Sequence, residues 1–171
     1  MRWLLALFCL SFVTVSQASF VTTVTPSNTP MIEKILVLKS AHQLQLIADG
    51  KPIKTYRISL GKGAKKGPKL IEGDKRTPEG FYWIDWRKVS EKFNLAMHIS
   101  YPNISDSARA RREGVEPGGM IMIHGTPDSE ETPEDLFHTL DWTDGCIAMR
   151  NMDMREVWGL VPDGTMIEIR P

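Results

Sequence analysis

The sequence predicts a mainly β domain of the α+β class, folded as a β-sandwich or barrel with a few short helices. Three features carry that expectation. Apolar and polar residues alternate over several short runs, which is the period of a half-buried strand. Turn formers separate the runs, with an Asp49-Gly50 pair between two of them. Helical patterns are few and short, and the chain contains no internal repeat.

Taken in order, residues 33–39 read as a strand and residues 42–47 alternate polar with apolar. Residues 51–60, with β-branched and aromatic content, complete a hairpin about Asp49-Gly50. His42 is expected on the solvent side of its strand. Residues 61–73 are rich in Gly and Lys. No Gly-Lys-Ser/Thr follows and no helical pattern starts there, so a phosphate cradle is excluded and a solvated loop is expected. Residues 81–86 form an aromatic strand, and 90–95 a short connection. Residues 96–101 alternate again up to Pro102, placing His98 on the face opposite Met97 and Ile99. Residues 106–113 read as a polar helix whose Arg109, Arg111 and Arg112 face solvent. A loop at 114–119 leads to a buried strand at 120–124 that ends on His124.

Thr132 is placed to cap a short helix with Pro133 at its first position and Glu134 and Asp135 in its first turn. That helix would bury Leu136, Phe137 and Leu140 and expose His138. Residues 152–160 form a second helix with Val157, Trp158 and Leu160 inward. Pro162-Asp163-Gly164 turns the chain into a last strand at 165–169. The methionines, among them Met120, Met122, Met149 and Met154, read as core filler rather than a metal-binding stripe.

At 171 residues the chain holds one domain large enough to bury a core. It is 42% hydrophobic and 25% charged, with Lys+Arg and Asp+Glu balanced at 21 each, which argues against a nucleic-acid binder. Met1-Arg2, an apolar run at 3–15 and the small-x-small Ser16-Gln17-Ala18 predict a signal peptide over 1–18. The run is too short for a span of about 20 apolar residues, so no stable membrane span is expected after cleavage. Residues 19–31 then form a Thr/Ser/Pro-rich linker, and 32–171 the domain. Cys9 leaves with the signal. Cys146 remains alone in an exported chain, where cysteines are usually paired, and is therefore a candidate reactive thiol.

A thiol becomes a nucleophile near neutral pH with the help of a base, and imidazole is the usual one. His124, at the end of a buried apolar strand, is the candidate base for Cys146. Gly125 and Gly145 flank the pair and allow close backbone approach. The ordinary alternative is a buried cysteine and a surface histidine that never meet.

Four stretches then carry a resemblance: Gly-Asp-Lys-Arg-Thr-Pro-Glu-Gly (Gly73 to Gly80), Ile-His-Gly (Ile123 to Gly125), Thr-Asp-Gly-Cys-Ile-Ala (Thr143 to Ala148) and the closing Val-Pro-Asp-Gly-Thr-x-Ile-Glu-Ile (Val161 to Ile169). Together they resemble the L,D-transpeptidase catalytic domain, the YkuD-type family, over about residues 32–171. The resemblance implies a secreted cysteine acyltransferase acting on peptidoglycan stem peptides in cell-wall biogenesis or remodelling. It needs no cofactor and no metal, and works in the periplasm or cell-wall space. It implies a thioester at Cys146, with His124 as general base, steered by Asp144 or a nearby carbonyl. The amides of Gly145 and Cys146 would hold the oxyanion, with Thr143 shaping the turn and Gly125 following the base. Carbapenem-like β-lactams acylate related enzymes at this cysteine. The acyl group would pass to an amine acceptor, to water, or away from a wall-attached protein.

The chain departs from the family pattern in the loop from His124 to Thr143, which is somewhat long and acidic (Asp128, Glu130, Glu131, Glu134, Asp135), and at two residues. Asp144 stands where many members have His, and Ala148 where Arg or Asn is common. A substrate carboxylate would then fall to another arginine, Arg76 or Arg150 first and Arg109, Arg111 or Arg112 second, because a guanidinium fork fits a carboxylate. The alternatives are a hydrolase on the same scaffold (an L,D-carboxypeptidase or an enzyme releasing wall-attached protein) and a non-catalytic wall-binding module. A zinc site of His124, His138 and Cys146 lacks the usual short ligand spacings.

Overall fold

The computed structural model describes residues 30–127, 133–137 and 139–171. The expected signal peptide and all but the last two residues of the linker lie outside them. Among the described residues eight strands form one mixed sheet in the order β3-β2-β1-β8-β4-β5-β6-β7. In β1 (Lys34–Leu38) and β2 (Gln43–Ala48), Ile35, Val37, Leu44 and Leu46 point inward and are fully buried. Each such side chain contributes roughly 1.5–3 kcal/mol on leaving water. The hairpin to β3 (Lys51–Arg57) turns through Asp49 and Gly50, both at positive φ, as a two-residue loop with right-handed strand twist requires.

β4 (Gly80–Ser90) is the long strand of the sheet. Its first residues pair with β8 (Met166–Arg170), which also runs parallel to β1, and its later ones pair with β5 (Asn94–Ile99). β5 pairs with β6 (Met122–His124), and β6 lies parallel to β7 (Ile147–Ala148). The chain just beyond β3 then meets the far edge of the sheet. Ser59 exchanges two 2.8 Å amide hydrogen bonds with Ala148, and Gly61 bridges to Thr143. The two ends of the sheet are thereby tied, which gives the expected barrel-like closure. α1 (Ile104–Glu113) starts at a capping box of Asn103 and Asp106 and ends at a left-handed Gly114. α2 is the single turn Glu134–Phe137, and α3 (Asn151–Leu160) buries Met154 and Val157 against the β5 side.

Several local expectations need correction. The Gly/Lys-rich loop is solvated only in part: Lys62, Lys65 and Lys66 are exposed, but Lys69 is 4% exposed and donates to Asp74 and to the Ile71 carbonyl, both at 3.0 Å. Asp74 also accepts the amides of Leu70, Ile71 and Arg76, so one carboxylate organises the loop. Those hydrogen bonds outweigh its burial and hold its pKa below the usual carboxylate value. Leu136 and Leu140, expected inside, are 54% and 64% exposed, because α2 is too short to present an apolar face. Its expected cap Thr132, and His138, lie outside the described residues. Met120 is 59% exposed instead of filling core, and Trp158 and Leu160 are only partly buried. His42 sits in the β1–β2 turn at φ +50 rather than on a strand. His98, by contrast, lies opposite the buried Met97 and Ile99 as expected, half-buried, stacked on Trp86 at 4.6 Å and hydrogen-bonded to Asp85.

Candidate active site

His124 and Cys146 come together through the β6–β7 ladder. The apolar run before His124 is buried between β5 and β7, and Ile123 pairs with Ile147 and His124 with Ala148. Continuing that register by one residue sets Cys146 beside Met122, and its thiol lies 3.7 Å from the Met120 carbonyl oxygen. Paired residues share a face and alternate residues along a strand return to it. Cys146 therefore stands on the face of His124, one strand across and two residues along.

The imidazole is locked in place. His124 is 3% exposed. Phe93, at the tip of the β4–β5 hairpin, lies against its face at 4.3 Å, and Trp142 meets its edge at 5.7 Å. Nδ1 lies 2.6 Å from the Gly125 carbonyl, which can only accept, so this nitrogen carries the proton and Nε2 keeps its lone pair. Burial, with the Lys92 charge adding to it and the Gly125 hydrogen bond opposing it, lowers the imidazole pKa from 6.5 to about 4. His124 is a neutral base at neutral pH. Burial likewise raises the Cys146 pKa, with the Met122 amide and Lys69 opposing it and Asp144 adding to it. The resting pair is thus thiol and imidazole, not thiolate and imidazolium.

The turn carrying Cys146 is held by Thr143, whose hydroxyl donates to the Cys146 carbonyl at 2.7 Å and accepts the Gly145 amide at 3.2 Å. Gly145 adopts φ +131, and a Cβ there would stand 2.8 Å from the Arg76 carbonyl oxygen. One sequence expectation changes here: the Gly145 amide, expected to meet an oxyanion, is occupied by Thr143. Of the two expected partners for His124, Asp144 or a nearby carbonyl, the carbonyl is the one in place: Gly125 lies against Nδ1, and Asp144 is exposed, with Lys62 at 3.6 Å and Lys75 at 3.8 Å. A Cβ on Gly125 would fall 2.7 Å from the Phe93 carbonyl oxygen as well as against Asn151 Oδ1, so glycine there lets the backbone beyond His124 pass close to the β4–β5 hairpin.

The arginines separate clearly. Arg76 lies beside the turn, its carbonyl packed on Gly145; its Nη1 reaches only the Pro68 carbonyl, at 3.5 Å, and its buried Nε has no partner among the described residues. Arg150 pairs with Asp135 at 3.2 Å on the surface. Arg109 is committed to Glu113 and the Leu70 carbonyl. Arg111 and Arg112 are exposed on the last turn of α1, where Arg111 lines a cavity with Pro102, Asn103 and Ile104. The structure gives neither a contact to the Cys146 turn. Ala148, buried and paired with His124, presents no polar group. Of the zinc alternative, His138 lies outside the described residues. Sequence reasoning missed Phe93, Trp142 and Lys69, since only the fold brings hairpin tip, turn and loop to one place.

A family model described as the L,D-transpeptidase catalytic domain matches residues 32–169. The chain is 31% identical over 128 residues to the Escherichia coli protein named "Putative L,D-transpeptidase YafK", covering 74% of this chain and 42% of that one. Among solved structures, the helical cell shape determining protein Pgp2 of Campylobacter jejuni matches with a TM-score of 0.61 at 24% identity, over 85% of this chain and 52% of that one. A mutant of the Enterococcus faecium L,D-transpeptidase matches with a TM-score of 0.54 at 20% identity, over 82% and 50%. These two share the fold. The chain spans about half the length of each of these relatives, or less.

Proposed function

This chain belongs to the L,D-transpeptidase catalytic domain family, and from that premise we propose that it is a cysteine acyltransferase acting on peptidoglycan stem peptides. The observation that carries the proposal is the buried, neutral His124, with its Nδ1 proton committed to the Gly125 carbonyl, on the same face as the Cys146 thiol. An imidazole so held has one free lone pair and one nearby proton to take. The Cys146 sulfur attacks the carbonyl carbon of the stem peptide while its proton moves to His124 Nε2. The tetrahedral oxyanion meets the Cys146 amide, the one of the two expected donors that Thr143 does not occupy. Collapse breaks the peptide bond, and the imidazolium returns the proton to the departing amine. The thioester then passes its acyl group to an amine acceptor or to water.

Arg76 is the carboxylate contact in this reading, because its guanidinium is the least committed of those beside the turn. Ala148 supports hydrolysis, or release of a wall-attached protein, as the second reading, since it offers an acceptor nothing polar to bind. The chain is exported through residues 1–18, which are then cleaved so that it begins near Ser19, and works in the periplasm or cell-wall space; Met1 found intact on the exported protein by N-terminal sequencing would refute the cleavage, and a protein confined to the cytoplasmic fraction would refute the export. Among the described residues no helix is long and apolar enough to cross a membrane.

Muropeptides incubated with purified protein and separated by mass test the reaction. Loss of terminal D-alanine with new cross-links supports transfer, and loss without cross-links supports hydrolysis. Unchanged muropeptides, with and without an added amine acceptor, would sink both. Arg76→Ala should weaken apparent stem-peptide affinity by about tenfold or more, the worth of a charged hydrogen bond; unchanged affinity removes Arg76 from the site.

A further inference from the structure

A clamp on the far side of the catalytic turn runs back to the first hairpin. His42 Nε2 lies 3.0 and 3.2 Å from the two carboxylate oxygens of Asp141. Asp141 Oδ1 also accepts the Leu60 amide at 2.9 Å, and the Leu60 carbonyl accepts the Thr143 amide at 3.3 Å. Thr143 then holds Gly145 and Cys146 as described. Residue 60 is thus gripped on both sides by the turn, and Gly61 beside it packs so closely that a Cβ would fall 2.9 Å from Gly145 Cα. The near end of this chain of bonds is itself fixed. His42 holds the left-handed φ of +50, uncommon for a residue with a side chain, and its carbonyl accepts the Ile58 amide at 3.0 Å.

We propose that His42 is a positioning residue for Cys146: through Asp141 it holds residues 60 and 143 together and so sets the height of the nucleophile beside His124. The proposal rests on the reading of Cys146 as the nucleophile. His42 and Asp141 also line a cavity of about 300 Å3 with Lys39, Leu60, Ala64 and Glu79. Without the imidazole, the Asp141 carboxylate can turn into that cavity toward water. The Leu60 amide then loses its acceptor, and the turn loses its tether to the chain beyond β3. A displacement of about 1 Å at a reacting atom is enough to cost up to about a hundredfold in rate.

The test uses the full chain with His42→Ala, His42→Gln and Asp141→Asn. Glutamine places an amide donor where the imidazole nitrogen stands, and asparagine keeps an acceptor for the Leu60 amide. Acylation of Cys146 is followed by intact mass at saturating and limiting acyl donor, and amide hydrogen exchange is read at Leu60, Thr143 and Gly145 against Ile99. His42→Ala should slow maximal acylation by about tenfold or more with donor affinity unchanged. Exchange at the three turn amides should rise while that of Ile99 holds. His42→Gln should recover most of the rate, and His42→Ala should add little in the Asp141→Asn background. Wild-type acylation by His42→Ala overturns the proposal, as does exchange unchanged at the turn. Equal losses of rate and melting temperature in His42→Ala and His42→Gln mean only a structural role, and also overturn it. A wild-type protein that forms no adduct defeats the nucleophile reading itself, a result distinct from all of these.

Discussion

At the scale of single residues, His124 depends on its surroundings more than on its type. The Phe93 ring against its face and the Lys92 charge beside it keep the imidazole neutral. A base that must accept the thiol proton is lost when it is protonated, so the acid limb of the wild-type rate should follow the depressed pKa of about 4. Phe93→Ala lets water reach the ring and moves that pKa back toward 6.5. At pH 5 the variant should lose most of its acylation rate relative to pH 8, while the wild type keeps most of its own. Superimposable pH profiles would show that Phe93 does not set the basicity of His124. The sequence singled out His124 and Cys146 as candidates because each ends or begins a motif with its own glycine. It could not show Phe93, which is 31 residues from His124 in the chain and meets it only because β4 and β5 form a hairpin ending beside β6.

At the scale of elements, the turn before β7 is a hydrogen-bonded unit built on Thr143 and a glycine with positive φ. Gly145→Ala would place a methyl group against the Arg76 carbonyl and force an unfavourable dihedral, a cost of order 1–3 kcal/mol. Its melting temperature should fall, and acylation should fall further than the fold, since the proposed nucleophile is the next residue. A Gly145→Ala protein with wild-type acylation would contradict this picture of the turn. The hairpins and α1 were readable because alternation, the Asp-Gly turn and the capping residues are local signals. The Gly/Lys-rich loop was not: its burial comes from Asp74 collecting Lys69 and three amides, a pattern with no periodicity in sequence. α2 misled because capping residues were read as the start of an apolar helix, whereas the described helix is one turn long.

For the whole molecule, fold class and family were legible and strand order was not. The parallel pairings of β1 with β8 and β6 with β7 join residues more than 130 and about 24 positions apart, and periodicity cannot encode which strands meet. Motif order supplied what periodicity lacked, and the family match over residues 32–169 agrees with it. The closed sheet has one mechanical consequence for function. The Ser59–Ala148 contact brings the chain beyond β3 against the turn of Cys146, so in the proposed mechanism the first hairpin, at the start of the domain, bears on chemistry near its end. Intact-protein mass after mixing with a carbapenem or a tetrapeptide stem tests the central claim most directly. One acyl adduct on the wild type, mapped to Cys146 and absent from a folded Cys146→Ala protein, is the expected result. No adduct on the wild type, or the same adduct on Cys146→Ala, would contradict it.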